Sequence, residues 1–388
     1  MLRDHSQSGP TMIERAKMFR DRLSVAALVA MTTVMSGCDT PQRDMLDTVS
    51  ESADKSAWFY YMLLSVCSVI LFIVVAWFVY SVVVFRAKDG VEQEMPPQIH
   101  GHTQMEIMWT IIPTLIIIGI TIPTIKAIFW LASPWEANSA DADENNHVVI
   151  DVMGKQWWWE YDYISPEDPD RKEIMFSTAN EMHVPVGTMV QLRVTSADVI
   201  HAFWVPRVSG KRDATPGRTY PLYFKVNEPG EYIGQCAELC GASHALMGIK
   251  LFAHSTDPDD PDNYDNWVAA QQKGAQPPTS TIAERGKELF ISKGCTACHN
   301  IRGDAVTNAI HPRARTRKTG PDLTHVGSRT TIGALAMTNT RDNLKEWILR
   351  PQEIKQGSVM YVYGYKLLGI EVNEEEAEAM AAYLFRLK

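Results

Sequence analysis

Charge is missing from two long stretches of this 388-residue sequence. Residues 58–85, WFYYMLLSVCSVILFIVVAWFVYSVVVF, hold no charged residue, and residues 107–132, IMWTIIPTLIIIGITIPTIKAIFWLA, hold only Lys126, near one end. A helix that crosses a bilayer needs about 20 apolar residues. Runs this long and apolar on every face do not suit the core of a water-soluble protein, so they read as a membrane hairpin. Basic residues are also in the minority, 37 against 46 acidic, for a formal net charge of -9. That balance offers no basic excess to a nucleic-acid partner, and none is expected. Internal repeats are missing too. Cysteine is scarce, with six residues in the whole chain, so where each one stands carries weight.

A third apolar segment, SVAALVAMTTVM, follows Arg15, Lys17, Arg20 and Arg22 and ends at Ser36-Gly37-Cys38. A basic part, a short apolar part and small residues describe a secretory signal over residues 1–37. Cysteine directly after Ser-Gly reads as a bacterial lipoprotein site, with Cys38 the lipidated first residue of the mature chain. Ordinary cleavage nearby and an uncleaved anchor are the alternatives, and Met12 is an alternative start. An exported N-terminus sends the first membrane helix inward and the second outward. The loop from Arg86 to Met105 is then cytoplasmic, and everything after about Ser133 lies outside. The Lys/Arg bias adds little, because Arg86 and Lys88 stand beside Asp89, Glu92 and Glu94.

Four further regions follow from texture. Residues 38–57 form an N-terminal extension. Residues 144–255 show short alternating apolar runs, such as MVQLRVTS and EYIGQC, between Pro and Gly turns, the pattern of an all-β sandwich or barrel. Residues 256–280, rich in Asp, Pro and Gln with little to bury, read as a linker. From Thr281 to the end, ERGKELFISKG, DNLKEWILR and EEEAEAMAAYLFRL have helical spacing and make a small α domain. That last region carries 16 basic and 12 acidic residues, net +4, which leaves -13 on the rest.

One loop of the β region, GQCAELCGASHALMGI (234–249), concentrates ligands: Cys236, Cys240, His244 and Met247. A disulfide or a zinc site could use the cysteines alone. Thiolate, imidazole and thioether together are the soft set that copper selects. His201, upstream in ADVIHAFWVP, can reach the loop across a sandwich. Two thiolates can bridge two metal ions, each completed by one histidine.

These residues resemble the dinuclear CuA centre of the cytochrome c oxidase subunit II family, whose domain is a cupredoxin-like sandwich. The resemblance implies Cys236 and Cys240 as bridges, His201 and His244 as terminal ligands and Met247 as an axial ligand. It implies the Glu238 carbonyl as a cap, and the Glu238 carboxylate as a ligand to magnesium at the boundary with subunit I. GKQWWWEYDY (154–163) is similar to the family's aromatic segment, with Trp157 as the electron-entry residue and Trp159 open to a plain packing role. Asp198 matches an acidic residue near the same centre. HTQMEIMWTIIP (102–113) matches the second membrane helix, which implies Glu106 at the cytoplasmic mouth of a proton channel in subunit I; a solvated helix-start glutamate is the plainer reading. The resemblance spans roughly residues 50–255.

CTACH (295–299) is a C-x-x-C-H haem-attachment site. Cys295 and Cys298 would add to the haem vinyl groups, with His299 an axial ligand. The domain is similar to class I cytochromes c. That likeness implies that Gly320, Pro321 and Leu323 pack by the haem, and that the Pro321 carbonyl accepts a hydrogen bond from His299. Met360, in KQGSVMYVY, sits where the family's sixth ligand does, although Tyr361 stands where proline is usual; Met337 is the rival, Met380 reads as core, and His311 and His325 as surface or loop. Cys67 reads as an inert thiol in a membrane helix, and no pair remains for a structural disulfide.

The whole resembles subunit II of a bacterial haem–copper oxidase of the caa type. A two-helix membrane hairpin precedes a cupredoxin-like sandwich and a class I cytochrome c domain, 58–85 and 107–132 being the spans. The resemblance implies electrons arriving at haem c from a cytochrome c or a respiratory complex, passing to CuA and on to haem a in subunit I. Subunit I carries dioxygen reduction and proton pumping, and subunit III completes the partners. It also implies the cytoplasmic membrane, with both soluble domains on the periplasmic side. A copper-containing nitric oxide reductase subunit and a membrane-tethered carrier are the alternatives; functional copper ligands exclude a quinol oxidase subunit. The opposite charges of the two halves, and the basic run Arg315, Arg317 and Lys318, suggest that the haem domain docks electrostatically on an acidic face, or that the run is a solvated loop.

Overall fold

The computed structural model describes residues 43–86, 98, 100–132, 147–168, 170–303 and 320–388. Cys38, His311 and the run Arg315 to Lys318 lie outside the described residues.

Helix α1, Glu51–Val84, starts earlier than the apolar run does. Ser50 caps it by accepting from the Ala53 amide at 3.1 Å, and Glu51 and Asp54 in the first turn complement the helix dipole. The extension 38–57 is therefore not separate from the hairpin at its end. The root of α1 is sewn to the β domain: Val49 donates to the Arg207 carbonyl and Ser52 Oγ to the Tyr223 carbonyl, with Ala53 and Ala57 buried. Helix α2, Thr103–Ala132, follows. The central stretches of both helices expose large apolar side chains on all faces, such as Phe72, Trp77 and Phe129. Hydroxyls within the spans are satisfied locally, as where Thr110 and Thr114 bond back one turn to Glu106 and Thr110 carbonyls.

Ten strands make a two-sheet sandwich. With β1 His147–Lys155, β2 Trp158–Ile164, β3 Ile174–Ala179, β4 Glu181–Pro185, β5 Met189–Ser196, β6 His201–Trp204, β7 Arg212–Ala214, β8 Tyr220–Phe224, β9 Gly230–Cys236 and β10 Gly248–His254, one sheet runs β3-β2-β1-β5-β8 and the other β4-β10-β9-β6-β7. Strand β5, Met189–Ser196, alternates so that Val190, Leu192 and Val194 enter the core while Gln191 and Arg193 face out. Strand β1, His147–Lys155, pairs parallel to β5 and antiparallel to β2, Trp158–Ile164, through the two-residue turn Gln156–Trp157. Trp159 is a core residue, fully buried, edge-on to the rings of His201 and Phe203.

The stretch expected to be a linker holds a helix instead, α3, Tyr264–Gln272, capped by Asn263. Its composition is polar, but Trp267 supplies the apolar surface that docks it. The indole stacks on His183 at 4.2 Å between centroids and meets Tyr163 and Phe176. Burial there pulls the His183 pKa well below the usual imidazole value.

Helices α4, Thr281–Ser292, α5, Arg341–Leu349, and α6, Glu374–Leu384, build the C-terminal domain around Phe290, Leu344, Met380 and Leu384. A capping box between Asn373 and Glu376 starts α6. Lys293, just past the end of α4, pairs with Glu376 at 2.8 Å and ties the two helices together.

Candidate metal centres

The copper loop leaves the end of β9, Gly230–Cys236, and returns as β10, Gly248–His254. His201 opens β6, His201–Trp204, which pairs with β9 at Phe203 and Cys236, so the sheet itself carries the imidazole to the thiol. Cys236 Sγ lies 3.9 Å from His201 Nδ1 and 3.9 Å from Cys240 Sγ. Cys240 Sγ lies 3.5 Å from His244 Nδ1 and 3.9 Å from Met247 Sδ, and Cys236 Sγ lies 3.3 Å from the Glu238 carbonyl. The structure thus brings together all six residues expected there.

Both cysteines are free, and a disulfide needs about 2.05 Å between sulfurs. Ligand atoms about 2.0–2.3 Å from a shared soft metal sit about 3.5–4 Å apart, which is the spacing here. The donor set therefore fits copper. Asp198 prepares it: its carboxylate accepts a hydrogen bond from His201 Nε2–H at 2.8 Å, which leaves Nδ1 as the ligand atom facing Cys236. The carboxylate is held in turn by the amides of Gln156 and Val199, each at 2.7 Å. Hydrogen bonding to the Cys240 thiol first, and then to His201, holds the Cys236 pKa down. The Cys240 thiol, facing Cys236, is pushed up.

In the C-terminal domain, Cys295, Cys298 and His299 form one wall of a cavity, and Met360 stands on its lining. His299 Nδ1 donates to the Pro321 carbonyl at 2.9 Å, as the sequence led one to expect, which leaves Nε2 as the ligand nitrogen. Gly320 passes so close that a Cβ there would lie 2.6 Å from His299 Cε1. Met337 packs on the domain core and is not part of the cavity wall, whereas Met380 reaches it from the buried side of α6. Burial pushes the Cys295 thiol up to about 11. A paired-thiol, single-imidazole wall around a largely apolar cavity fits a covalently held haem.

The two centres meet at the turn Gln156–Trp157, both of whose residues line the haem cavity. Trp157 lines the haem cavity, and its Nε1–H donates to the Cys240 carbonyl at 3.0 Å. Gln156 Nε2 donates to the same carbonyl at 2.7 Å. On the other side Gly357, at φ +76°, faces the indole so closely that a Cβ would lie 2.7 Å from Trp157 Cη2. A larger residue would push the ring out, and glycine also suits that φ.

Sequence reasoning missed the seam that holds the haem domain here. The buried Glu181 carboxylate accepts from the amides and hydroxyls of both Thr330 and Thr331, at 2.7–3.0 Å. Ser243 Oγ donates to the Gln356 carbonyl at 2.6 Å, and the Gly248 amide to the Ala334 carbonyl at 3.1 Å. Trp158, Ala179 and Ala334 form a small apolar cluster across the same junction. No local pattern marks these pairs, because their partners lie 86–176 positions away in sequence or carry unremarkable residue types. Glu106 sits in the first turn of α2, where its carboxylate accepts from the His102 amide at 3.3 Å. Glu238, within the copper loop, is exposed.

A membrane hairpin, a sandwich with a thiolate–imidazole–thioether cluster and a haem-attachment domain define a membrane-anchored electron-transfer protein. The family profile described as cytochrome c oxidase subunit II, transmembrane domain, matches residues 40–127, its periplasmic-domain counterpart matches 148–253, and the cytochrome c profile matches 283–388. Cytochrome c oxidase subunit 2 of Alkalihalophilus pseudofirmus is 33% identical over 378 residues, covering 96% of this chain and 99% of that one. The subunit 2 of Bacillus sp. strain PS3 is 33% identical over 366 residues, covering 92% and 95%. The crystal structure of the periplasmic domain of subunit II of cytochrome oxidase of Bradyrhizobium japonicum is 34% identical, covers 33% of this chain and 94% of that one, and has a TM-score of 0.27. The chain belongs to the cytochrome c oxidase subunit II family, in a form with a C-terminal cytochrome c domain. It is thus one subunit of an oxidoreductase complex, anchored in a membrane, whose domains imply copper and haem c.

Proposed function

We propose that this chain takes electrons at haem c and relays them through dinuclear CuA to haem a in subunit I, where dioxygen is reduced with proton pumping. The observation that carries the reading is the placement of Trp157, which walls the haem cavity and bonds to the backbone of a copper-loop cysteine. Cys236 and Cys240 would bridge the coppers, His201 and His244 would terminate them, and Met247 and the Glu238 carbonyl would complete them. Such a pair shares one electron over a rigid core, so its geometry changes little on reduction. The protein's part is to bury Cys236, Cys240 and Met247 in the sandwich core and to fix His201 through Asp198. Cys295, Cys298, His299 and Met360 would hold the haem, with Pro321 orienting His299.

The same reading places magnesium on the Glu238 carboxylate at subunit I, Glu106 at the mouth of a proton channel there, and a lipid on Cys38. Both soluble domains then stand on the periplasmic side of a bacterial cytoplasmic membrane, with subunit III and an upstream cytochrome c or respiratory complex as further partners. The test is purification of the assembled complex, metal analysis, oxygen uptake, and flash reduction of the haem. Fast reoxidation of the haem with matching reduction of copper is expected. A haem that stays reduced while copper remains oxidised would sink the relay.

A further inference from the structure

A lysine occupies the junction between the two centres. Lys355 is the C-cap of the four-residue helix Pro351–Ile354 that follows α5; it is 4% exposed and lines the haem cavity. Its Nζ donates to the main-chain carbonyl of Trp157 and to that of Gly333, the latter at 2.9 Å. The Trp157 contact spans 198 positions of sequence and joins the haem domain to the turn between β1 and β2. Buried lysines are rare unless their donors are used, because losing water around the head group costs free energy. Here the head group is used at the turn that touches both centres.

We propose that Lys355 is the positioning residue of the haem-to-copper relay: it holds the Trp157 main chain in place and sets a positive charge between the two centres. The inference rests on the relay reading above. Two physical arguments carry it. First, the turn Gln156–Trp157 is held from both sides, by Lys355 on the Trp157 carbonyl and by the Cys240 carbonyl, which accepts from Trp157 Nε1 and Gln156 Nε2. Removing Lys355 leaves a buried carbonyl without its donor and frees one side of that hold. Secondly, a fixed cation away from water favours the more electron-rich form of whatever centre it faces, since its field is screened less there than in water. The head group bonds to Trp157, which in turn bonds to the copper-loop residue Cys240, so this charge lies next to both centres. Burial pushes the Lys355 pKa down to about 7, so its charge is best tested below that pH.

The experiment uses the full chain in its assembled complex, with Lys355→Met and Lys355→Arg, at about pH 6. Three quantities are read: the rate of haem-to-copper transfer after flash reduction, the copper midpoint potential, and amide exchange at Thr330, Thr331 and Gly248. Lys355→Met is expected to slow transfer and lower the copper potential while exchange at the seam stays protected. Lys355→Arg, which keeps charge and donors, is expected to restore both. A Lys355→Met variant with the parent's rate and potential overturns the proposal. So does a slow variant with an unchanged potential, or one that loses protection at the seam, since either makes the lysine only structural. Failure of the relay itself would look different, because the parent would then show no fast internal transfer.

Discussion

Trp157 Nε1 donates to the carbonyl of Cys240 at 3.0 Å, across a contact in which the ring belongs to the haem cavity wall and the acceptor to the copper loop. Both partners are buried, Trp157 at 8% and Cys240 at 3% exposure, so the bond is sheltered from competing water. The bond fixes the indole between the cavity wall and the loop that holds Cys236 and Cys240.

Cys240→Ser should break the bridge between coppers, since the remaining thiolate cannot hold both ions symmetrically. Purified variant is expected to carry less copper and to lose the near-infrared band of the paired site, with haem attachment unchanged. Metal analysis and absorption spectra check this, and a retained band would remove Cys240 from the site.

Met360→Ala should keep the haem attached through Cys295 and Cys298 but change the sixth ligand. Loss of the sulfur-to-iron absorption feature is expected. Met337→Ala should keep that feature, because Met337 packs on the domain core rather than on the cavity wall. The opposite result would reassign the ligand.

Glu181→Gln should loosen the seam. Oε1 accepts from both threonine amides and both hydroxyls while Oε2 also accepts from the Thr330 amide, and an amide side chain would set an NH2 donor against one of these donors. The expected cost is about 1–3 kcal/mol at the junction, seen as faster amide exchange at Thr330 and Thr331. Exposed charge pairs weaken with salt, whereas a buried carboxylate on amides does not. Salt is therefore expected to leave exchange protection in the parent unchanged, which separates this seam from docking by the basic run near Arg315.

Asp162→Asn should alter the pH dependence of stability. Burial first, then Glu160, push the Asp162 pKa up to about 7. A raised carboxyl stabilises the fold below its ordinary range, and that contribution is lost as pH rises through about 7. Asparagine still accepts from Ser177 and carries no charge to bury. The variant should match the parent near pH 4 and exceed it by about 4 kcal/mol near pH 8. Denaturant midpoints followed by tryptophan fluorescence check this; equal midpoints at both pH values would show that Asp162 is not desolvated.

Much of this protein was legible because its chemistry is local. The membrane helices follow from runs of apolar residues, and the haem attachment from five consecutive residues. Three of the copper donors and the thioether lie within twelve positions, and His201 was recoverable because soft-metal chemistry asks for a second imidazole. Pro321 was found through a likeness whose segment is also contiguous. Other features depended on surfaces that only folding creates. Residues 256–280 look too polar to pack, yet a single indole, Trp267, found His183 and an aromatic cluster on strands far away. Glu181 read as one more strand residue until Thr330 and Thr331 closed on it. Lys355 carried no signal, because a lysine in a polar turn is ordinarily solvated, and only its partners across the junction explain why it is buried. The sequence by itself determined which cofactors the chain is built to hold, since ligand identity and spacing are properties of neighbours along the chain. The tertiary structure decided how the two centres face each other, because contacts between residues some 200 positions apart depend on the packing of whole domains.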